Sequence, residues 1–186
     1  AGHDPSLSVT VELSNEIWNS VFPVNGWMDA EAGRKGISFR EEVASQIQLL
    51  FDVAEDVFAG PDAHRLRKYG GGFAADPTYL AGVLARLRPG THVDAVGPAA
   101  YLGPRRADID AWLTGATSSS CPNCPTPDDL IATADRTVDI LRPQLARHAD
   151  IARAWRNADG SHPRLELYEA GLNLKSIGRP WAAAAR

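Results

Sequence analysis

The chain has 186 residues, enough for one domain with a real core, and carries 19 Lys+Arg against 23 Asp+Glu, a net charge of −4. No basic patch marks a nucleic-acid partner, and no run of 18 apolar residues suggests a membrane span. The opening Ala-Gly-His-Asp-Pro lacks the basic and apolar regions of a secretory leader.

Taken in order, residues 9–15 read as the first strand. Val9, Val11 and Leu13 alternate with Thr10, Glu12 and Ser14, the period of a strand with two unlike faces. Its tip is polar, with Asn15, Glu16 and Trp18 close together, and parity puts Glu12 on the face that carries Glu16. A carboxylate, an amide and an indole at a strand's C-terminal end sit where α/β folds bind ligands.

Residues 19–37 contain Pro23, Gly26, Gly33 and Gly36, which predicts a long loop holding Phe22 and Trp27. Ser38 and Glu41 then form a capping box. The helix that follows buries Val43, Ile47, Leu50, Phe51, Ala54, Val57 and Phe58 on one side. Glu41, Glu42, Glu55 and Asp56 are expected on its solvated face.

A short strand is expected at 65–69, closed by Gly70, Gly71 and Gly72. The glycine run lacks the G-x-G-x-x-G spacing of a dinucleotide site, so it signals backbone passing close to something. Asp76 and Pro77 open the next helix, whose apolar stripe is Leu80, Val83, Leu84 and Leu87. A third strand at 93–98 runs on to a tip at Tyr101.

Residues 103–126 read as loop with a helical turn near Ile109–Leu113. Cys121-Pro-Asn-Cys124 lies in it. A lone CxxC with no second ligand pair reads as a structural loop open to disulfide closure, ahead of a zinc half-site or redox motif. Thr126 and Pro127 start a long helix to about Asn157, with Pro143 inside it. A last strand at 164–169 ends in Tyr168 and Glu169, followed by a Gly turn. His3, His64, His92, His148 and His162 have no ligand spacing and are expected at the surface. No metal and no cofactor are expected.

The alternation of strand and helix predicts an α/β fold with about four βα units, parallel strands, and all the strand tips on one side. Two of those tips offer a Glu, the minimum equipment for cleaving a glycosidic bond.

On these residues the chain resembles clan A of the glycoside hydrolases, the retaining (β/α)8-barrel enzymes. Ser14-Asn15-Glu16 looks like the clan's Asn-Glu pair at strand four, Tyr101 its strand-six Tyr, and Glu169 in Tyr-Glu-Ala-Gly its strand-seven Glu. The segment around Glu16 is also similar to a branch of the clan found in large extracellular polysaccharide-related proteins. The resemblance spans roughly residues 9–175 and implies strands four to seven of the barrel, a partial (β/α)8 whose N-terminal half would lie elsewhere in a parent chain. It implies Glu16 as acid/base and Glu169 as nucleophile, with carboxyl groups about 5–5.5 Å apart. Asn15 would bind the sugar's 2-hydroxyl, Trp18 would line the substrate site, and Tyr101 would hydrogen-bond the nucleophile. It implies a carbohydrate substrate and an extracellular or periplasmic setting. Ala99 stands where many members of the clan have a His. A noncatalytic carbohydrate-binding or structural member of the same fold is the alternative.

Parity leaves one conflict at 165–169. If Glu169 faces the barrel interior, Glu166 faces the helices, unless a bulge near Tyr168 intervenes.

Overall fold

A computed structural model describes residues 4, 6–14, 16–116 and 120–172. Asn15, His3 and the tail from Lys175 to Arg186 lie outside the described residues. The chain divides into two compact units, Ala1–Ala99 with Gln144–Tyr168, and Ala100–Pro143 with Glu169–Arg186.

The first unit is a four-stranded sheet of β1 (Val9–Val11), β2 (Leu66–Gly72), β3 (Ala95–Pro98) and β5 (Arg164–Leu165), in that spatial order and parallel throughout. The sequence therefore folds as α/β with parallel strands. Several strands are shorter than expected. β1 leaves the ladder at Glu12, and β5 stops at Leu165. β2 is longer, because its three glycines pair with Val96, Gly97 and Pro98 instead of ending the strand.

Residues 23–35 are a helix, α1 (Pro23–Lys35), where Pro and Gly had suggested a loop. Pro23 sits in its first turn, where a missing N–H costs nothing. Gly36, at φ 68°, closes it, with the Gly36 and Ile37 amides donating to the Gly33 and Ala32 carbonyls. Met28 and Ala32, four apart, are buried, while Trp27 is half exposed.

The helix α2 (Phe39–Val57) has both halves of the Ser38–Glu41 capping box. Val43, Ile47, Phe51 and Ala54 are buried, but Val57 is exposed. Glu42 is not on a solvated face. It is fully buried and accepts from Lys35 Nζ at 2.7 and 2.8 Å and from Gln46 Nε2 at 2.8 Å. A carboxylate one position from the apolar stripe is tolerated inside because the end of α1 brings it a cation.

The helix α3 (Pro77–Leu84) is capped by Asp76 and buries Leu80, Val83 and Leu84. A 3-10 turn at Gly60–Arg65 leads into β2. The long helix α5 (Pro127–Ala154) starts with a Thr126–Asp129 capping box and holds Pro143 inside. Its final turns belong to the first unit and bury His148, among the described residues the one histidine that departs from the expected surface position. Its Nδ1–H donates to the Gln144 carbonyl at 2.9 Å, and burial lowers its pKa, so the ring is neutral.

In this unit the helices pack on one sheet face. Lys68 of β2 meets Glu55 and the Phe51 ring of α2. A Cβ at Gly70 would touch Leu80 and Leu84 of α3, and one at Gly72 would meet His148 of α5 and Leu80. The close-approach reading of the glycines therefore holds. The opposite face carries Thr10, Arg67, Tyr69, Gly71, Ala95 and Gly97, by the register that pairs Thr10 with Arg67 and Tyr69 with Ala95.

The second unit holds β4 (Ala100–Leu102), paired in parallel with β6 (Ala170–Leu172), and α4 (Arg106–Trp112), a fuller helix than the single turn expected. Cys121 and Cys124 form a disulfide across the loop before α5.

Ala95 pairs with Arg164 and Ala100 with Ala170, so five steps on one path match six on the other. The extra residue lies between Leu165 and Ala170, the stretch in which a bulge near Tyr168 was one way out of the parity conflict. Glu166 does not face the helices, because Arg164 pairs with Ala95 on the opposite face and Glu166 follows two residues on. Its carboxylate pairs with Arg67, on the other face, at 2.7 Å.

Two outcomes follow from this packing. A Cβ at Gly97 would collide with the Glu166 carbonyl, which is backbone and cannot swing aside. Gly97→Ala is expected to lower urea-derived stability by about 3 kcal/mol, the upper range for overpacking. Burial pushes the Glu42 carboxyl up, but Lys35 and Gln46 outweigh it and hold the group below its ordinary 4.5. A depressed carboxyl contributes stability that is complete above 4.5 and is lost as pH falls through the folded value. The urea midpoint should drop below that pH, and Glu42→Gln should flatten the drop.

Candidate functional site

The site is built where β1 and β2 end and where the chain leaves β5. Glu12 follows β1 and lies so close to Gly71 that a Cβ there would strike its Oε1. Gly71 pairs with Gly97, so both neighbouring strands present bare backbone at this point.

Glu16 then adopts φ 48°, and among the described residues it alone, apart from glycines, has a positive φ. The left-handed region costs a residue such as Glu about 1 kcal/mol or more. Asn19 holds the turn. Its amide donates to the Glu16 carbonyl at 2.8 Å and its Nδ2 to Glu16 Oε2 at 2.9 Å. Asn25 of α1 braces it from behind, donating to the Ile17 carbonyl at 2.8 Å. Ile17 is buried, which anchors the turn to the core.

Trp18 joins an aromatic cluster. Its ring centroid is 6.1 Å from Phe73, nearly parallel to it, 5.6 Å from Tyr79 edge-on, and 6.3 Å from Tyr168. Tyr168 also meets Tyr69 edge-on at 6.2 Å. These are the offset and edge-to-face arrangements that the ring quadrupoles favour.

Tyr69 donates its hydroxyl to the Glu166 carbonyl at 2.7 Å, while the Glu166 amide donates to the Val96 carbonyl at 3.0 Å. The chain is thus pinned from β2 and β3 just before it bulges toward Tyr168. Burial, then the negative charges of Glu12 and Glu166, push the Tyr69 phenol up. Burial, then Glu16 and Glu12, push up Tyr168, and the Ala99 backbone offsets little of this. Both phenols stay protonated at ordinary pH. The Tyr168 hydroxyl is buried, with the Ala99 backbone as the hydrogen-bonding group beside it.

The structure therefore brings Glu12 and Trp18 together over Gly71, with Glu16 in the turn that leads to Trp18. Glu169 and Tyr101 lie in the second unit. There the Ala100 amide donates to the Glu169 carbonyl at 2.8 Å, and Tyr101 pairs with Gly171. Tyr101 is 37% exposed, not a core residue, and among the described residues no hydrogen bond joins its hydroxyl to the Glu169 carboxylate. Asn15 falls outside the described residues.

Tyr69, Tyr168, Arg67 and Glu166 were not singled out as site residues from the sequence. A signal was present for two of them: Arg67, Tyr69 and Gly71 alternate on one face once β2 is extended through its glycines. Tyr168 was legible as the tip of the last strand, beside Glu169, but not as a ring packed against Tyr69 and Trp18.

Among the described residues no group of three His, Cys, Asp or Glu side chains could hold a metal ion, and no helix is long and apolar enough to cross a membrane. A separate open groove on the helix side is lined by Glu41, Gln48, Asp52, Arg86 and Arg88. Arg88 is already paired with Asp52 there. No protein-family model, curated protein or solved structure matches this chain.

Tyr69→Phe removes the donor to the Glu166 carbonyl and leaves the ring. Urea unfolding should show a loss of about 1 kcal/mol, the usual worth of one such bond. No loss would mean that the pin is not needed.

Proposed function

We propose that this chain is the strand-four to strand-seven portion of a (β/α)8-barrel glycoside hydrolase that cleaves glycosidic bonds in an oligosaccharide or polysaccharide with retention of configuration. One observation carries the reading. Glu16 is held in a strained left-handed conformation in the turn that follows a parallel strand, between Glu12 and Trp18, which meet over Gly71, and Trp18 packs against Tyr168. Backbone strain of this kind collects at functional sites, and parallel sheets place their chemistry at that end.

The first unit's sheet supports the architectural part. Helices contact one face, and the other carries Thr10, Arg67, Tyr69, Gly71 and Gly97. Parallel sheets with a bare face are rare, and in a barrel that face turns inward.

In this reading Glu169 attacks the anomeric carbon and forms a glycosyl-enzyme ester. Glu16 protonates the departing glycosidic oxygen. It then takes a proton from the water that cleaves the ester. Asn15 holds the 2-hydroxyl, a contact that strengthens as the ring flattens in the transition state. Trp18 supplies an aromatic wall and Tyr101 a hydroxyl near the nucleophile. The disulfide between Cys121 and Cys124 supports an oxidising compartment, extracellular or periplasmic.

Aryl glycosides test the assignment. In the complete enzyme Glu169→Gln should abolish turnover. Glu16→Ala should keep activity on substrates whose leaving group needs no proton, and azide should restore part of the lost rate by forming the glycosyl azide. Sugar binding without turnover in the unaltered enzyme would instead mark a noncatalytic carbohydrate-binding member of the fold.

A further inference from the structure

We propose that Phe73 is a sugar-stacking residue whose exposed ring receives the C–H face of a pyranose unit of the substrate, and that Trp18 is the residue that positions it. This rests on the glycosidase reading above and adds to it a contact residue and a class of sugar ring.

Phe73 directly follows β2. It lies two residues past Gly71 and so continues the face that carries Arg67, Tyr69 and Gly71. That end of a parallel strand is where such sheets bind ligands. Trp18 reaches the same place, since a Cβ at Gly71 would touch its ring. Among Trp18, Tyr69, Phe73, Tyr79 and Tyr168, only Phe73 is exposed, at 40%. It is therefore the ring of this cluster that a ligand can reach.

A single exposed apolar side chain on a surface is ordinary, but this one is held in place. The Asp76 amide donates to the Phe73 carbonyl at 3.1 Å, in a turn that leads straight into α3. Buried His148 stands behind Gly72, the residue before it. Trp18 lies 6.1 Å from the Phe73 ring and within 18° of parallel to it. Tyr79 and Tyr168 fix Trp18 in turn, at 5.6 and 6.3 Å. Trp18 thus braces the Phe73 ring while much of that ring stays open to solvent. A contact fixed before the ligand arrives gives up little freedom on binding.

The chemistry of the ring selects the class of sugar. The face of a benzene ring is negative. A pyranose chair carries parallel axial C–H groups, polarised by their carbon–oxygen bonds, and these form a flat apolar patch that suits such a face. A furanose is a puckered five-membered ring and has no such parallel set. Phe73 has no polar atom, so it reads the shape of the sugar ring and not its hydroxyl pattern.

The test uses the unaltered chain with its Phe73→Leu and Phe73→Trp variants. Calorimetry measures binding of β-1,4-glucan, β-1,3-glucan, xylan and chitin oligosaccharides, with arabinan and fructan oligosaccharides as the furanose set. For the tightest pyranoside, Phe73→Leu keeps apolar bulk but should weaken Kd about tenfold, the upper end of what an aromatic contact adds to its area. Phe73→Trp should bind as tightly as the unaltered chain or more so. Proton spectra of the bound sugar give a reading that needs no variant. The axial C–H resonances of one sugar unit should move upfield on the unaltered chain, under the ring current, and lose that shift on Phe73→Leu.

Equal affinity of Phe73→Leu and the unaltered chain would overturn the contact and leave the glycosidase reading intact. So would the absence of an upfield shift on the unaltered chain, whatever the variants do. Tighter binding of arabinan or fructan would overturn the pyranose class. No binding of any oligosaccharide by the unaltered chain would remove both this contact and the glycosidase reading.

Discussion

The Glu166 carbonyl reaches across β3 to the Tyr69 hydroxyl on β2, and the first unit's site is arranged around that bond. It is possible only because the residue it crosses is Gly97, where any side chain would occupy the carbonyl's place. The Glu166 amide still takes its ladder bond from Val96, so the chain leaves the sheet only after that residue. The bulge that follows brings the Tyr168 ring against Tyr69 and Trp18. Trp18 in turn belongs to the tight turn that forces Glu16 to a positive φ. Loss of the Tyr69 bond would therefore be felt at residues far from it in sequence.

The glycines of β2 divide their work by parity. Gly70 and Gly72 admit Leu80, Leu84 and His148 from the helices. Gly71, between them, admits Glu12 and Trp18 on the other face. Alternating side chains would have held both layers away from the sheet. Three consecutive glycines sacrifice strand propensity and chain entropy, and the close packing of Leu80, Leu84 and buried His148 offsets that cost. Glu42 and Lys35 do something similar between α1 and α2, where a buried charge is tolerable because its partner arrives from the preceding helix end.

Much of this was legible in the sequence, and the limits have physical causes. Capping boxes at Ser38 and Thr126, the Asp76–Pro77 start and the stripe from Leu80 to Leu87 are local signals, and local structure obeyed them. The helix at Pro23–Lys35 was hidden because Pro and Gly usually interrupt helices, and here they occupy its first turn, its solvent-facing interior and its end. Glu42 and His148 were misjudged because burial of a polar side chain depends on its partner: Lys35 for one, a carbonyl four residues back for the other. At the strand tips, period 2 carries only as far as the ladder does: β1 ends at Val11, and Glu16 lies beyond it in a left-handed turn. In the last strand it holds through Glu166, on the face of Arg164 and Ala95, and is lost only beyond that residue, where the chain gains a residue.

That extra residue changes what variation the segment can absorb. Leu167 is 42% exposed, and the register on either side of it is set by Arg164 and Ala170. Replacing one residue for another there alters a surface. Removing one would make the two paths equal in length and turn every later side chain to the opposite face of its strand. The stretch from Glu166 to Glu169 is thus permissive toward exchange at Leu167 and intolerant of insertion or deletion.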